Sequence, residues 1–123
     1  MKILKNSFYT LNIILIIFYL YPGSILGCYF YNDCFIQPQL TRDFFVSSNH
    51  LYVFFVLSSI GFLTFSKKLK MILCYLILLS ITLELLHIII PNRGFEVADL
   101  LGNILGVLLP LVIFKLFIFR SLK

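Results

Sequence analysis

Charged residues are scarce in this chain of 123 residues, since Asp, Glu, Lys and Arg make up 12% of it and hydrophobic residues 61%. A soluble domain usually contains about 25% charged residues. So short a chain forms a single domain over residues 1–123, and its apolar content exceeds what a small core could bury. The composition therefore excludes an ordinary water-soluble fold and predicts a protein whose surface is largely in contact with lipid.

Several sequence patterns are missing, and each absence removes a class of function. The apolar runs are unbroken, whereas a membrane β-barrel needs short segments of alternating hydrophobicity. There is no CxxC or HExxH spacing and no nucleophile elbow, so the sequence predicts neither a metal site nor a cofactor. The net charge of +5 is not accompanied by any nucleic-acid-binding pattern. The positions of the basic residues are explained instead by membrane topology, as described below.

Four apolar runs are each long enough for a helix that crosses a bilayer, which needs roughly 20 residues. They cover residues 8–27, 44–65, 69–90 and 97–119. Their many β-branched and aromatic residues would favour strands in water, but in lipid an unpaired backbone must satisfy its own hydrogen bonds as a helix. The predicted fold is an all-α membrane protein with four transmembrane helices.

The basic residues fall into three groups that an even number of spans places on one side of the membrane. These groups are Lys2 and Lys5; Lys67, Lys68 and Lys70; and Lys115, Arg120 and Lys123. Because cytoplasmic loops carry an excess of Lys and Arg, both termini are predicted to be cytoplasmic, in a bacterial inner membrane. Arg42, Arg93 and all five acidic residues then map to the outer side or the outer half of a span.

The three cysteines leave alternatives open. The segment "ILGC" resembles a bacterial lipobox, so cleavage before Cys28 would leave a lipid-anchored protein with three spans; the alternative is a retained first helix. Cys28 and Cys34 lie in the same outer loop and could form a disulfide bond in an oxidising periplasm, or remain two unpaired thiols. Cys74, inside the third span, is expected to be a small apolar filler.

Polar residues recur near the outer ends of three spans. Ser80, Glu84, His87 and Pro91 share one helix face by their spacing, as do Asp99, Asn103 and Gly106, and His50 lies near the start of the second span. Counted from Pro91, Glu84 would lie about 10 Å inside the hydrocarbon. An ionised side chain there is costly, so we expect these groups to turn inward, with Glu84 meeting His50, His87 or Arg93. The aromatic residues are expected mostly at lipid contacts and interfaces.

The segment "GNILG" contains Gly102 and Gly106 in a small-xxx-small pattern. Small residues at this spacing let two membrane helices approach closely. The pattern favours a close helix contact, and it is also consistent with a homo-oligomer formed through Gly102 and Gly106.

The segment "ELLHIIIPNRGFEVADLLGNILG" resembles the signature of the VanZ-like family of small bacterial membrane proteins. The matching residues are Glu84, Pro91, Arg93, Asp99, Asn103 and Gly106, and His50 matches a histidine of the family's second helix. His87 stands where glutamine is usual, and Val46 and Ser47 replace an Asp-Lys pair. The resemblance implies a cell-envelope membrane protein, with a link to resistance against the glycopeptide teicoplanin through the founding member.

We expect the polar groups to form a pocket in the outer leaflet that binds a lipid head group or an amphiphilic envelope component. The candidate ligand-binding residues are His50, Glu84, His87, Arg93, Asp99 and Asn103. Arg93 would contact an anionic group. The alternative is a membrane-embedded enzyme that acts on a lipid-linked substrate, with Glu84 or His50 as general base. A transporter is disfavoured, because polar residues vanish from the inner halves of the spans.

Overall fold

The structure is a computed structural model that describes residues 2–121, with side chains described for residues 2–117. Within this range it is all-helical and contains no β-strand, which confirms the predicted class. The helices are α1 (Lys2–Leu20), α2 (Ile25–Tyr31), α3 (Ser48–Thr64), α4 (Leu69–Leu86) and α5 (Val97–Ser121), with a short 3₁₀ turn at Ser66–Lys68.

Three of these helices, α1, α4 and α5, are long and apolar enough to cross a membrane. The predicted second span, residues 44–65, is instead the 17-residue helix α3, and residues 44–47 precede it. At 1.5 Å per residue this helix is about 25 Å long, against about 30 Å of hydrocarbon in a typical bilayer. Length and composition therefore identify three candidate spans, and α3 is a shorter apolar helix beside them.

The predicted first span, residues 8–27, has the wrong boundaries. Helix α1 runs from Lys2 to Leu20 and is followed by a break before α2. Pro22 disfavours a helical conformation at the residue before it, and Gly23 adopts a positive φ of 92° that continues neither helix. The chain therefore turns at this point, and α2 belongs to the connection between α1 and α3.

The predicted third span, residues 69–90, ends earlier than expected. Helix α4 stops at Leu86, and His87 is its C-cap, with its backbone N–H bonded to the carbonyl of Glu84 at 3.1 Å. The chain then turns through Asn92, which has a left-handed φ of 60°. Glu84 consequently lies about 3 Å, rather than about 10 Å, from the end of its helix.

Helices α3 and α5 pack closely against each other at two glycines. A Cβ added at Gly102 would come within 2.7 Å of the Ser47 carbonyl oxygen, and one at Gly106 within 2.6 Å of the Leu51 carbonyl oxygen. The small-xxx-small pattern thus brings two helices of one chain together. The same two glycines are those through which the sequence predicts a homo-oligomer, and that association stays a prediction.

Successive long helices run in opposite directions, which separates polar side chains from lysines. At one end of the bundle, Phe8 near the start of α1 stacks edge-on against Phe65 just after α3, with ring centroids 5.4 Å apart. The lysines at 2, 5, 67, 68, 70 and 115 belong to this end. Arg120 and Lys123, also predicted there, lie outside the residues with described side chains.

A disulfide bond joins Cys28 and Cys34, so the alternative of two unpaired thiols does not apply to this structure. Ser24 caps α2 by accepting a hydrogen bond from the Gly27 N–H, and Asn32 ends it in the left-handed conformation. The bond also occupies the sulfur that lipid attachment at Cys28 would need.

Cys74, expected as a filler inside a span, is exposed on the outer face of α4.

Candidate functional site

Four helix ends meet at the end of the bundle opposite the lysines. The end of α1 contributes Tyr19, the start of α3 contributes His50, the end of α4 contributes Glu84 and His87, and the start of α5 contributes Asp99 and Asn103. All except Asp99 are buried, and Glu84 and Asn103 are completely inaccessible to solvent. The structure therefore brings together five of the residues that were predicted to converge, namely His50, Glu84, His87, Asp99 and Asn103.

The Tyr19 hydroxyl connects three of these helices. It donates a hydrogen bond of 2.6 Å to Asn103 Oδ1, and His50 Nδ1 lies 3.0 Å from the same hydroxyl and 3.1 Å from Asn103 Oδ1. Since the phenolic proton is already used and the amide oxygen can only accept, His50 Nδ1 must be the donor in this group. This assignment leaves the lone pair of a neutral His50 on Nε2.

That second nitrogen of His50 faces an acceptor. His50 Nε2 lies 3.4 Å from Asp99 Oδ2, and the Asp99 side chain is 20% exposed while that of His50 is 9% exposed. A neutral imidazole with its proton on Nδ1 would direct a lone pair at a carboxylate oxygen. The contact is favourable only when a proton or another cation lies between the two atoms.

Glu84 is held by one oxygen and left without a partner at the other. Its Oε1 accepts a 3.2 Å hydrogen bond from the backbone N–H of Glu96 and lies 3.4 Å from His87 Nδ1. Its Oε2 is buried, makes no hydrogen bond to any described residue, and lies 3.8 Å from His50 Nδ1. A buried carboxylate oxygen without a hydrogen-bond partner is unfavourable.

His87 ties α4 to α1. Its Nε2 lies 3.1 Å from the backbone carbonyl oxygen of Tyr19, which can only accept, so this nitrogen carries a proton. The ring also stacks on that of Tyr19, with centroids 5.6 Å apart. His87 therefore holds the Tyr19 ring in place from one side, while its Nδ1 faces Glu84.

Arg93 lies beside the cluster rather than inside it. Its guanidinium donates hydrogen bonds to the carbonyl oxygens of Phe18, at 3.0 Å, and Tyr21, at 3.4 Å. The Phe18 carbonyl lies in the last turn of α1 and the Tyr21 carbonyl just after it, where a cation also interacts favourably with the helix dipole. Burial lowers the pKa of the Arg93 guanidinium, and the neighbouring Tyr19, Asp99 and Glu84 oppose this shift. The predicted pairing of Glu84 is met by the two histidines and not by Arg93.

A cavity of about 610 Å³ lies between α1 and α3, next to the polar cluster. Its walls are mostly apolar, with Leu11, Ile14 and Phe18 on one side and Val53 and Val56 on the other. The loop at residues 37–40 covers part of it. At its polar end it is lined by His50, His87 and Arg93. The cavity thus combines a long apolar wall with one cationic side chain.

Tyr19 is the residue of this site that sequence reasoning missed. A tyrosine near the end of an apolar run is usually an anchor at the membrane interface, and most aromatic side chains here are indeed exposed. Its position in the sequence could have indicated this role. When successive spans run in opposite directions, Tyr19 lies at the same end of the bundle as His50 and Asp99. A single sequence cannot show which of several such tyrosines faces inward.

Three residues of the site have the chemistry of metal ligands. One atom each from His50, Glu84 and Asp99 lie within 4.8 Å of one another. They come from three different helices, so a motif defined by spacing along one segment cannot detect them. The sequence therefore predicted no metal site, whereas the fold assembles a group that could hold one.

Comparisons with protein-family models, with curated proteins and with solved structures found no match to this chain. The resemblance to the VanZ-like family thus stays a prediction from the residues quoted above.

Proposed function

We propose that this chain is a four-span protein of the bacterial cytoplasmic membrane, with both termini in the cytoplasm. The three span-length helices support this, as does the position of α3, which packs closely on α5. A helix shorter than the bilayer can span it by local thinning at modest cost. The lysine-rich end is cytoplasmic by the positive-inside rule, which places the polar cluster in the outer leaflet.

The chain belongs to the VanZ-like family in this proposal. Among the residues that carry the resemblance, His50 lies beside Glu84, Asp99 and Asn103, although it comes from a different segment of the sequence. Such clustering is expected of residues that serve a common site and is not required by sequence spacing alone. It supports the resemblance without depending on any other protein.

The function is to bind an anionic amphiphile of the cell envelope in the cavity between α1 and α3. The observation that carries this proposal is the cavity itself, which has apolar walls and Arg93 at its polar end. Many wall residues, such as Ile14, Val53 and Val56, are also partly exposed on the bundle surface. An acyl chain could therefore enter from the bilayer while its head group reaches Arg93, which forms strong bonds to carboxylate and phosphate groups.

The test compares Arg93→Ala with Arg42→Ala, which removes the same charge from an exposed loop position outside the cavity. Full-length protein in nanodiscs is titrated with phosphatidylglycerol, phosphatidylethanolamine and teicoplanin, and bound molecules are counted by native mass spectrometry. We expect Arg93→Ala to weaken binding of the anionic lipid or of teicoplanin by about 10- to 100-fold, as loss of a charge-assisted hydrogen bond does. Arg42→Ala should bind like the wild type.

A second pair of variants tests the apolar wall, since Arg93 also supports α1. Val53→Trp places a large ring in the cavity, whereas Val112→Trp places it on the exposed face of α5, away from the cavity. We expect the first to reduce binding and the second to leave it unchanged. Equal binding by wild type, Arg93→Ala and Val53→Trp, with unchanged thermal stability, would refute the proposal.

The enzyme alternative is favoured by one observation, namely that both imidazoles that face a carboxylate also line the cavity. Such a histidine could act as a general base on a bound lipid-linked substrate. The same nanodisc samples distinguish the two functions, because an enzyme converts the added lipid and a binding protein returns it unchanged. Product that forms with wild type and is absent with Glu84→Gln would favour catalysis.

A further inference from the structure

Two features of the polar cluster are unexplained by the protein atoms alone. The lone pair of His50 Nε2 faces Asp99 Oδ2 at 3.4 Å, and Glu84 Oε2 is buried without a hydrogen-bond partner among the described residues. The first places two electron-rich atoms together, and the second leaves a buried carboxylate oxygen without a hydrogen bond. Both would become favourable if one cation occupied the space between them.

The three side chains have a geometry suited to a metal ion. Their candidate ligand atoms all lie within 4.8 Å of one another. The separation of 3.4 Å between His50 Nε2 and Asp99 Oδ2 is about that of two ligands sharing a tetrahedral zinc ion at bond lengths of about 2.1 Å. One imidazole nitrogen and two carboxylate oxygens form a mixed donor set. Imidazole suits zinc and iron, and carboxylates also accept manganese.

The surroundings of His50 resemble the support that metal-binding histidines have in proteins. Such a histidine almost always donates its other ring N–H to a fixed acceptor, which sets its tautomer and orientation. Here the N–H at His50 Nδ1 points between two acceptors, the Tyr19 hydroxyl oxygen and Asn103 Oδ1. Asn103 is itself held by a hydrogen bond from its amide nitrogen to the Ser80 carbonyl at 3.4 Å.

We propose that His50, Glu84 and Asp99 bind a divalent transition-metal ion, such as Zn²⁺ or Mn²⁺. The ion neutralises two carboxylates that otherwise have only histidines as ion partners within the described residues. Asp99, at 20% exposure, is the route by which the ion reaches Glu84. The site joins α3, α4 and α5, each of which contributes one ligand.

This inference does not depend on the proposed binding of an amphiphile. Glu84 and Asp99 do not line the cavity, and Arg93, which carries the head-group argument, is outside the ligand set. His50 is the residue that the two sites share. Arg93→Ala should therefore retain the metal, and a failure of lipid binding would leave the metal proposal standing.

The experiment measures metal content and affinity of the full-length protein in detergent, purified without a histidine tag or chelator. Elemental mass spectrometry follows equilibrium dialysis against Zn²⁺, Mn²⁺ or Mg²⁺ alone. We expect about one Zn²⁺ or Mn²⁺ per chain, and little Mg²⁺. Asp99→Asn should weaken binding by more than the roughly 10- to 100-fold that loss of an outer-shell partner costs.

Glu96→Gln is the matched control, because Glu96 is an exposed acid close to Asp99 and outside the ligand set. It should bind metal like the wild type. A thermal shift on addition of Zn²⁺ provides a second measurement, which the wild type and Glu96→Gln should show and Asp99→Asn should lack. Absence of stoichiometric metal in the folded wild type, or equal affinity of Asp99→Asn and Glu96→Gln, would overturn the proposal.

Discussion

The side chain of Tyr19 contacts residues of three other helices in the polar cluster, although it carries no charge. Its hydroxyl bonds to Asn103 and His50, and its ring stacks on His87. Three helices are therefore positioned by one side chain from the fourth. A buried hydroxyl with two good partners contributes modestly to stability, but its loss leaves those partners poorly satisfied.

We expect Tyr19→Phe to lower the free energy of unfolding by about 1–3 kcal/mol, because the ring contacts remain while the hydrogen bonds of the hydroxyl to Asn103 and His50 are lost. Chemical unfolding in detergent micelles measures this change. Tyr9→Phe is the control, since Tyr9 lies on the same helix at 49% exposure and its hydroxyl has no described hydrogen bond. Equal stability of the two variants would show that the Tyr19 hydroxyl is not a structural contact.

The buried polar residues were predicted correctly where exposing the side chain to lipid would cost much free energy. Glu84, His87 and Asn103 were expected to face inward because a polar group in lipid is expensive, and all three are buried. Arg93 was assigned to the same group, yet it bonds to carbonyls at the end of α1. A long side chain can reach several partners from one backbone position, so its partner depends on the neighbouring helix.

The contact between α3 and α5 is the element on which the site depends. Helix α5 carries Asp99 and Asn103, and α3 carries His50, so the distance between these helices sets the distances within the cluster. The backbone N–H of Ser47 also bonds to the Ala98 carbonyl at 3.1 Å, which fixes where the two helices begin to pack. Glycines make this close approach possible.

Gly106→Ala is expected to destabilise the fold by about 1–3 kcal/mol, which is typical of overpacking. The new Cβ would lie 2.7 Å from Phe54 Cβ and 2.6 Å from the Leu51 carbonyl, and backbone atoms cannot move away cheaply. Thermal unfolding in detergent would measure the effect. Gly94→Ala serves as control, because no atom lies within 4 Å of a Cβ at that position; similar melting of both variants would contradict the close contact.

The ends of elements were the least predictable feature. Apolar composition continues through residues 21–27 and 87–90, so hydrophobicity alone extends the first and third spans too far. The helices stop because of backbone chemistry, with Pro22 and Gly23 after α1 and a tight turn at His87 after α4. Boundaries set by local turns are visible in the sequence only when Pro and Gly are weighed against hydrophobicity.

At the scale of the whole molecule, the fold places lysines at one end and the polar cluster at the other. The proposed orientation can be tested with a membrane-impermeant maleimide on spheroplasts of cells that express single-cysteine additions in a Cys74→Ser background. Gly94→Cys, in the turn between α4 and α5, should be labelled from outside. Lys67→Cys, beside α3, should react only after the cells are lysed.

The parent Cys74→Ser protein is the control for labelling, because Cys28 and Cys34 are joined and have no free thiol. Labelling of Lys67→Cys in intact spheroplasts, with Gly94→Cys protected, would reverse the orientation. The polar cluster would then face the cytoplasm, and an envelope ligand of the outer leaflet could not be its occupant.

The sequence by itself determined that the chain is helical, apolar on its outside, and built from runs that alternate in direction with lysines at one end. These properties follow from the composition of each run and from the free-energy cost of exposing polar groups to lipid. Both can be read from short stretches of the sequence. Only the tertiary structure decided that Tyr19 joins the cluster, that Gly102 and Gly106 pack on α3, and that His50, Glu84 and Asp99 meet. These contacts join residues far apart along the chain, and their distances depend on how closely whole helices approach.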